Sequence, residues 1–151
     1  MDIEKRTVPN SILLGEVSAL LSEGRPVVIM TKGNSMLPFI RGEKDSVCLE
    51  APADLASGDI VLAQVRPGLY VLHRFLGESD GTATLKGDGN LVSTESCPVE
   101  AVCGKVSRII RGGGREVPCD TRSFRRRSRL WRNSPLIARR IFLAIYRRLF
   151  I

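Results

Sequence analysis

The chain has 151 residues, of which 43% are hydrophobic, so it is long enough for one domain with a real core and is not generally disordered. Its formal net charge of +7 is unevenly distributed, because residues 122–151 hold ten arginines and no acidic residue while residues 1–121 hold 13 basic and 16 acidic side chains. A mildly acidic body followed by a strongly basic segment indicates that the segment meets an anionic surface.

The four cysteines form no CxxC pair, and with one histidine in the chain no zinc-ligand set is evident, so we expect neither a metal nor a cofactor. We expect reduced, mostly buried thiols in a cytoplasmic protein, with a disulfide as the alternative. No long apolar run precedes Lys32, and we therefore predict neither a signal peptide nor a membrane anchor at the N-terminus. The basic segment leaves a peripheral position at a membrane open.

In chain order, the first predicted element is a short amphipathic helix over residues 11–23, which Gly24 ends and which packs on the domain that follows. A β-branched run over residues 26–31 predicts a buried strand, and a polar turn leads from it to Ser35. Turn signals about every 8–12 residues then separate short strands, a pattern typical of an all-β barrel or sandwich. These predicted strands cover residues 46–50, 59–65, 69–76, 82–86 and 99–110. The glycines at 112–114 are expected to end the domain or to open a flexible turn.

The C-terminal segment is predicted as a basic amphipathic helix. We favour an anionic membrane surface as the partner of the residues from Arg122 to Ile151, with docking on the β domain or on another protein as the alternative. Nucleic acid is the least favoured partner, since the arginine run at 125–127 has little aromatic interleaving. The predicted division is an N-terminal helix (1–25), a β domain (26–118) and an Arg-rich helical tail (119–151). The apolar face of the helix holds Ala138, Ile141, Phe142, Ile145, Tyr146 and Leu149, with Phe150 at its end, and Arg139, Arg140 and Arg147 lie opposite.

Three polar residues in the predicted β domain carry reactive groups. Ser35 follows a Gly-Asn turn and precedes Pro38, which restricts the backbone, so a rigid turn projects its hydroxyl at the end of a strand. His73, the only histidine, lies in a predicted strand, and histidine is the side chain that most readily accepts a proton near neutral pH. Asp88 lies between two glycines in a predicted turn. Taken singly, each residue has an ordinary structural explanation.

Five short motifs follow one another along the chain: residues 33–38 (GNSMLP), 58–61 (GDIV), 73–74 (HR), 86–90 (KGDGN) and 104–106 (GKV). Their order and spacing resemble the signal peptidase superfamily, which also contains the self-cleaving LexA-type repressors. The resemblance covers residues 27–110, nearly the whole predicted β domain. It implies a mainly β, signal-peptidase/LexA-like domain of the β-barrel type. It also implies a serine endopeptidase that cleaves an extended peptide or precursor protein through an acyl-enzyme.

The resemblance further implies a role for individual residues. Most bacterial members carry a lysine base where this chain has His73, so the chain is similar to the Ser-His variety of endoplasmic-reticulum and archaeal signal peptidases. Ser35 is then the expected nucleophile, His73 the general base and Asp88 the acid that orients the imidazole. The strand that contains Val28, Ile29 and Met30 is expected to pair with the extended substrate.

Two departures from the family pattern change these expectations. A second aspartate is absent from residues 91–95, where Glu95 is the only carboxylate, so Asp88 alone is expected to act as the acid. Gly33 stands where many members have a hydroxyl residue, which leaves the oxyanion to the backbone N–H groups of Ser35 and Asn34 and predicts a slower enzyme. The alternatives are a weak or inactive peptide-binding module of the same fold and a self-cleaving LexA-like switch. The switch is disfavoured because no DNA-binding helix pair precedes the β domain.

Overall fold

Short β-branched runs between turn residues give a chain in which strands outnumber helices. The computed structural model describes residues 10–151, and its residues are 34% strand and 29% helix. A curled antiparallel half-barrel sheet and an N-terminal helix form the mainly β architecture that the sequence predicts. The prediction that the N-terminus carries neither a signal peptide nor an anchor depends on the residues before Lys32, of which residues 1–9 lie outside the described residues.

Three helices and eight strands make up the described part of the chain. The helices are α1 (Asn10–Ser22), α2 (Arg122–Asn133) and α3 (Leu136–Phe150). The strands are β1 (Val27–Met30), β2 (Ser46–Glu50), β3 (Ile60–Arg66), β4 (Leu69–Ser79), β5 (Thr82–Lys86), β6 (Glu95–Pro98), β7 (Val102–Ile110) and β8 (Glu116–Pro118). The boundaries of α1, β2 and β5 agree with the predicted ones to within a residue.

The sheet runs in the order β1-β2-β7-β3-β4-β5-β6, with β8 paired to β7, and every pairing is antiparallel. The hairpin between β4 and β5 turns at Asp80 and Gly81. Both residues have a positive φ, the backbone conformation that a tight two-residue hairpin turn requires. The sheet does not close among the described strands, because β1 and β6 stand at its two ends. Among residues 10–151, one side of β1 therefore has no neighbouring strand.

Helix α1 covers the inner face of the half-barrel. Its buried residues Val17 and Leu21 pack in one core with Leu49 and Leu62 of the sheet. The helix crosses β7 at Gly104, where a Cβ would lie 2.8 Å from Leu21 Cδ1, so the missing side chain allows the close approach. A second buried cluster lies between β3, β5 and β6. Val27 and Ile29 of β1 pack against the first core, which places α1 beside β1.

Two strands differ from the expectation, and the glycine segment follows the second of the two alternatives that the sequence left open. Strand β6 is polar and ends in proline, and β8 is three residues long, so neither has the apolar alternation that marks a strand in a sequence. The glycines at 112–114 do not end the domain but turn the chain from β7 into β8, with Arg111 N–H donating to the Arg115 carbonyl at 2.8 Å. The predicted strand over residues 99–110 begins with a 3₁₀ turn (Val99–Ala101) and becomes extended at Val102.

The C-terminal segment forms two helices where the sequence predicted one. Ser134 and Pro135 separate them, as expected from the missing N–H of proline. Helix α2 begins at its cap Thr121, whose hydroxyl accepts the Phe124 N–H at 3.2 Å, and it docks on the sheet through the buried side chain of Phe124. Within residues 10–151, none of the helices combines the length and the apolar character that crossing a bilayer requires.

The four cysteines are free thiols, as the sequence predicts. Cys48 and Cys97 are buried, whereas Cys103 and Cys119 are half-buried. Burial raises the pKa of the Cys119 thiol to about 12, so this group is protonated at neutral pH and behaves as an apolar side chain.

The docking of α2 predicts a difference between two residues on this helix. Phe124 is 3% exposed and its ring meets that of Phe39 edge-on at 5.7 Å, whereas Leu130 is 69% exposed. We expect Phe124→Ala to lower the free energy of unfolding in urea by about 3–5 kcal/mol. Leu130→Ala should change it by less than about 0.5 kcal/mol. Equal effects would mean that α2 is not docked in solution.

Candidate active site

The turn that carries Ser35 follows directly from β1. Gly33 has φ +72°, and the backbone of Gly42 packs so closely on it that a Cβ on Gly42 would lie 1.9 Å from the Gly33 carbonyl oxygen. This contact fixes the start of the turn, since only glycine at position 42 allows it. Ser35 is exposed at the end of this rigid segment, as predicted from the Gly-Asn turn.

A buried carboxylate holds the rest of the loop between β1 and β2. Asp45 is fully buried and accepts the Arg41 N–H and the Arg111 Nη1 hydrogen, both at 2.8 Å. Its backbone carbonyl also accepts the Thr31 hydroxyl at 2.7 Å. Burial acts to raise the pKa of Asp45, but the hydrogen bonds and charges of Arg41 and Arg111 outweigh it and hold this pKa below its usual value. The loop is therefore anchored on both sides of Ser35.

His73 lies in the middle of β4 and is 5% exposed. Its Nδ1 lies 2.8 Å from Oε2 of Glu95, the first residue of β6. An ionised carboxylate can only accept a hydrogen bond, so in the neutral imidazole the proton is on Nδ1 and Nε2 carries the lone pair. The imidazole is thus oriented by a carboxylate, and its second nitrogen is available to take a proton.

The glycine turn after β5 brings Ser35 and His73 to one place. The Gly89 N–H donates to the Ser35 carbonyl at 2.8 Å. A Cβ on Gly87 would lie 2.5 Å from that carbonyl oxygen and 3.2 Å from His73 Nε2. Both groups are therefore adjacent to Gly87. No hydrogen bond joins the Ser35 hydroxyl to His73 in this structure. The two residues predicted as nucleophile and base are therefore close neighbours but not yet bonded.

Asp88, the expected orienting acid, is bound to a different residue. Its carboxylate pairs with the Arg74 guanidinium through two hydrogen bonds, with Nε to Oδ1 at 3.2 Å and Nη2 to Oδ2 beside it. The indole N–H of Trp131 donates to the Asp88 carbonyl at 3.0 Å. Burial raises the pKa of Asp88, and the charge of Arg74 opposes this rise. The His73 ring is therefore paired with Glu95 and not with Asp88, whose carboxylate is bound by Arg74, the residue that follows His73 in the chain.

Sequence reasoning missed the part played by Glu95, Arg74 and Trp131. Glu95 had one signal, since it is the only carboxylate among residues 91–95. Arg74 was noted only as part of a motif. Trp131 belongs to a helix that was predicted as a tail, and no pattern in the sequence linked it to Asp88.

An apolar groove with a volume of about 570 Å³ begins at Ser35 and His73. The predicted substrate strand forms one of its walls: Val28 and Met30 are 53% and 58% exposed, and Ile29 is half-buried. The groove is lined further by apolar side chains of α1, β3 and β4, namely Leu13, Leu14, Val17, Leu62, Tyr70 and Leu72. An extended chain laid in it would meet hydrocarbon along its length and the hydroxyl of Ser35 at its end.

The predicted oxyanion donors are exposed at the same place. Asn34 and Ser35 are both accessible, and the Ser35 N–H donates to no acceptor among residues 10–151. Gly33 has no side chain to add a third donor. In the part of the chain that the structure describes, no three His, Cys, Asp or Glu side chains gather as metal ligands would. Comparisons of the chain with the models of known protein families and with curated proteins found no significant match.

The packing of the glycine turn gives a test of this geometry that needs no substrate. A Cβ on Gly87 forces the Ser35 carbonyl or the His73 ring to move, so we expect Gly87→Ala to lower the free energy of unfolding by about 1–3 kcal/mol and to shift the Ser35 and His73 amide signals in NMR spectra. Gly77→Ala is the matched control, since a Cβ there meets nothing within 4 Å. Unchanged signals in Gly87→Ala would show that the turn does not touch the site.

Proposed function

We propose that this chain is a serine endopeptidase with a signal-peptidase/LexA-like fold, in which Ser35 is the nucleophile and His73 the general base. One observation carries the proposal. The only histidine of the chain is oriented through Nδ1 by a carboxylate. Its Nε2 is adjacent to Gly87, and so is the carbonyl of the exposed Ser35. This is the order of groups that activates a serine hydroxyl.

The proposed reaction uses only groups of the site and water. Ser35 Oγ attacks the carbonyl carbon of the scissile peptide bond as its proton passes to His73 Nε2, and the Ser35 and Asn34 N–H groups bind the oxyanion. The C–N bond then breaks, and the leaving amine takes the proton from Nε2. Water adds to the acyl-enzyme with His73 as base, which releases the carboxylate product and restores the Ser35 hydroxyl.

Glu95 replaces Asp88 as the proposed acid. Its carboxylate accepts the Nδ1 hydrogen at 2.8 Å and stabilises the imidazolium that forms when Nε2 takes a proton. Asp88 acts indirectly, through its contact with Arg74. Its ion pair with Arg74 holds the glycine turn on which the Ser35 carbonyl rests. The role of Asp88 is therefore to position the turn.

The groove and the free edge of β1 favour an extended peptide as the substrate. An edge strand offers unpaired N–H and C=O groups that a peptide can pair with, while alternate side chains of the peptide enter the groove. The lining is apolar, so a substrate with apolar side chains before its scissile bond fits best.

A non-catalytic peptide-binding module is the second candidate, favoured by the missing hydrogen bond between Ser35 and His73. Catalytic hydrogen bonds are often long without substrate and shorten only when it binds, so this observation alone does not outweigh the proposal. The two candidates differ in whether Ser35 reacts.

A fluorophosphonate probe, which reacts covalently with activated serines, tests the proposal. We expect labelling of the intact chain at Ser35, mapped by mass spectrometry, and a loss of at least about 100-fold in the labelling rate of Ser35→Ala and His73→Ala. Ser57→Ala removes another exposed loop serine and should label normally. Absence of labelling at Ser35, with peptide binding retained, would favour the non-catalytic module.

The two carboxylates are expected to respond differently to neutralisation. Glu95→Gln should slow the labelling of Ser35 by at least about tenfold, while changing the free energy of unfolding by only about 1 kcal/mol, since Glu95 is 35% exposed. Asp88→Asn leaves the charge of Arg74 buried without its partner and should cost about 3–5 kcal/mol of stability. If Asp88→Asn slowed labelling without loss of stability, Asp88 would be the acid after all.

A further inference from the structure

Helix α3 is docked by one face and exposes an apolar stripe on the other. Leu143 is 4% exposed and faces the domain, and the Lys44 ammonium donates to the Phe150 carbonyl at the end of the helix at 2.8 Å. The residues of the opposite face recur at every fourth position, and each is more than half exposed: Ile137 (70%), Ile141 (57%), Ile145 (55%) and Leu149 (69%). A helix that only packs on its own domain would turn these side chains inward.

The charges around the stripe limit what can cover it. Arg140, Arg147 and Arg148 are exposed on α3, and no acidic residue occurs between Arg122 and Ile151. A second copy of the chain would bring the same positive charges together, which costs free energy at an interface. An anionic bilayer surface offers both hydrocarbon for the stripe and phosphate groups for the arginines.

We propose that α3 lies in the plane of an anionic membrane surface, with the aliphatic stripe in the acyl boundary and Arg148, on the same side of the helix, at the lipid phosphates. Arg148 lies on the side of the stripe itself, and its long side chain reaches the headgroups from there. The proposal depends on the exposed stripe and its charges and is independent of the proposed peptidase activity.

Aromatic side chains border the stripe on its domain side. Trp131 of α2 meets Phe142 at 5.5 Å between ring centroids, Phe142 stacks on Tyr146 at 6.1 Å, and Tyr146 meets Phe150 at 4.8 Å. Tryptophan and tyrosine are enriched where protein meets the headgroup region. This aromatic row lies between the residues expected to enter the lipid and the residues that hold α3 on the domain. Phe142 and Phe150, which the sequence placed with the inserted residues, belong to this row.

The docked side of α3 lies next to the loop between β5 and β6. A cleft there is lined by Val92 on the loop and by Arg140, Leu143 and Arg147 on the helix. Val92 is 79% exposed, and the same loop leads from Asp88 to Glu95. Because Arg140 and Arg147 line this cleft, a bilayer on the opposite side of α3 would lie one helix away from the loop that ends at Glu95.

Sedimentation with vesicles tests the proposal on the full chain. We expect binding to phosphatidylcholine vesicles that contain 30% phosphatidylglycerol, binding at least about tenfold weaker to pure phosphatidylcholine, and weakening by added salt. Ile141→Ser combined with Ile145→Ser should lower the partition coefficient on the anionic vesicles at least about tenfold. Both residues are exposed, so the double variant should have an unchanged free energy of unfolding in urea.

A matched pair of leucines distinguishes the stripe from general attraction of a basic protein. Leu149 on the stripe and Leu130 on α2 are both 69% exposed. Leu149→Ser should weaken vesicle binding several-fold, and Leu130→Ser should leave it within about twofold. Equal effects of the two, or unchanged binding in the double isoleucine variant, would overturn the proposal. Self-association in analytical ultracentrifugation that the double variant abolishes would assign the stripe to a second copy and would also overturn it.

Discussion

The ion pair between Arg74 and Asp88 lies almost wholly out of water, with side chains that are 1% and 3% exposed. Burying two charges costs several kcal/mol for each, and attraction offsets that cost only when the remaining donors also find partners. Arg74 meets this condition, because its Nη1 donates to the Gly58 carbonyl at 2.9 Å and to the Ser128 hydroxyl at 3.1 Å, while the Phe39 ring lies 4.9 Å from its guanidinium carbon. The Arg74 side chain therefore joins four parts of the fold: strand β4, the turn after β5, the turn before β3 and helix α2.

The position of the pair explains how a distant helix reaches the candidate site. Successive residues of a strand point to opposite faces, so His73 and Arg74 serve the two sides of β4. Asp88 is likewise flanked by Gly87 and Gly89, which contact His73 and the Ser35 turn. A movement of α2 would shift Asp88 through Trp131, and Arg74 through Ser128, and the two glycines with them. The geometry at Ser35 therefore depends on residues of helix α2.

The strands could be predicted where local pattern decides them. Ser35 and His73 could be predicted as candidate site residues only from the ordered set of five motifs, since each residue taken singly has an ordinary structural explanation. The pairing of His73 with Glu95 depends on β6, whose register places Glu95 opposite Leu85, and β6 is too polar to be recognised as a strand. The contact of Asp88 with Arg74 in place of His73 could not be predicted, because a sequence does not show which of two adjacent strand residues faces a turn far along the chain. By contrast, the break between α2 and α3 was available from Pro135.

The C-terminal segment, which the sequence predicts as one amphipathic tail, forms two helices with different surroundings. In α2 the apolar residue Phe124 enters the core and most of the arginines face water, so this helix belongs to the domain. In α3 the order is reversed, since the aliphatic stripe faces outward and Arg140 and Arg147 lie on the docked side with Leu143. Because Leu143 and the bond from Lys44 to Phe150 hold α3 on the domain, any surface that covers the stripe meets the protein in a fixed orientation. The proposed lipid contact would for that reason set the direction of the groove as well as its location, which a flexible tail with the same composition could not do.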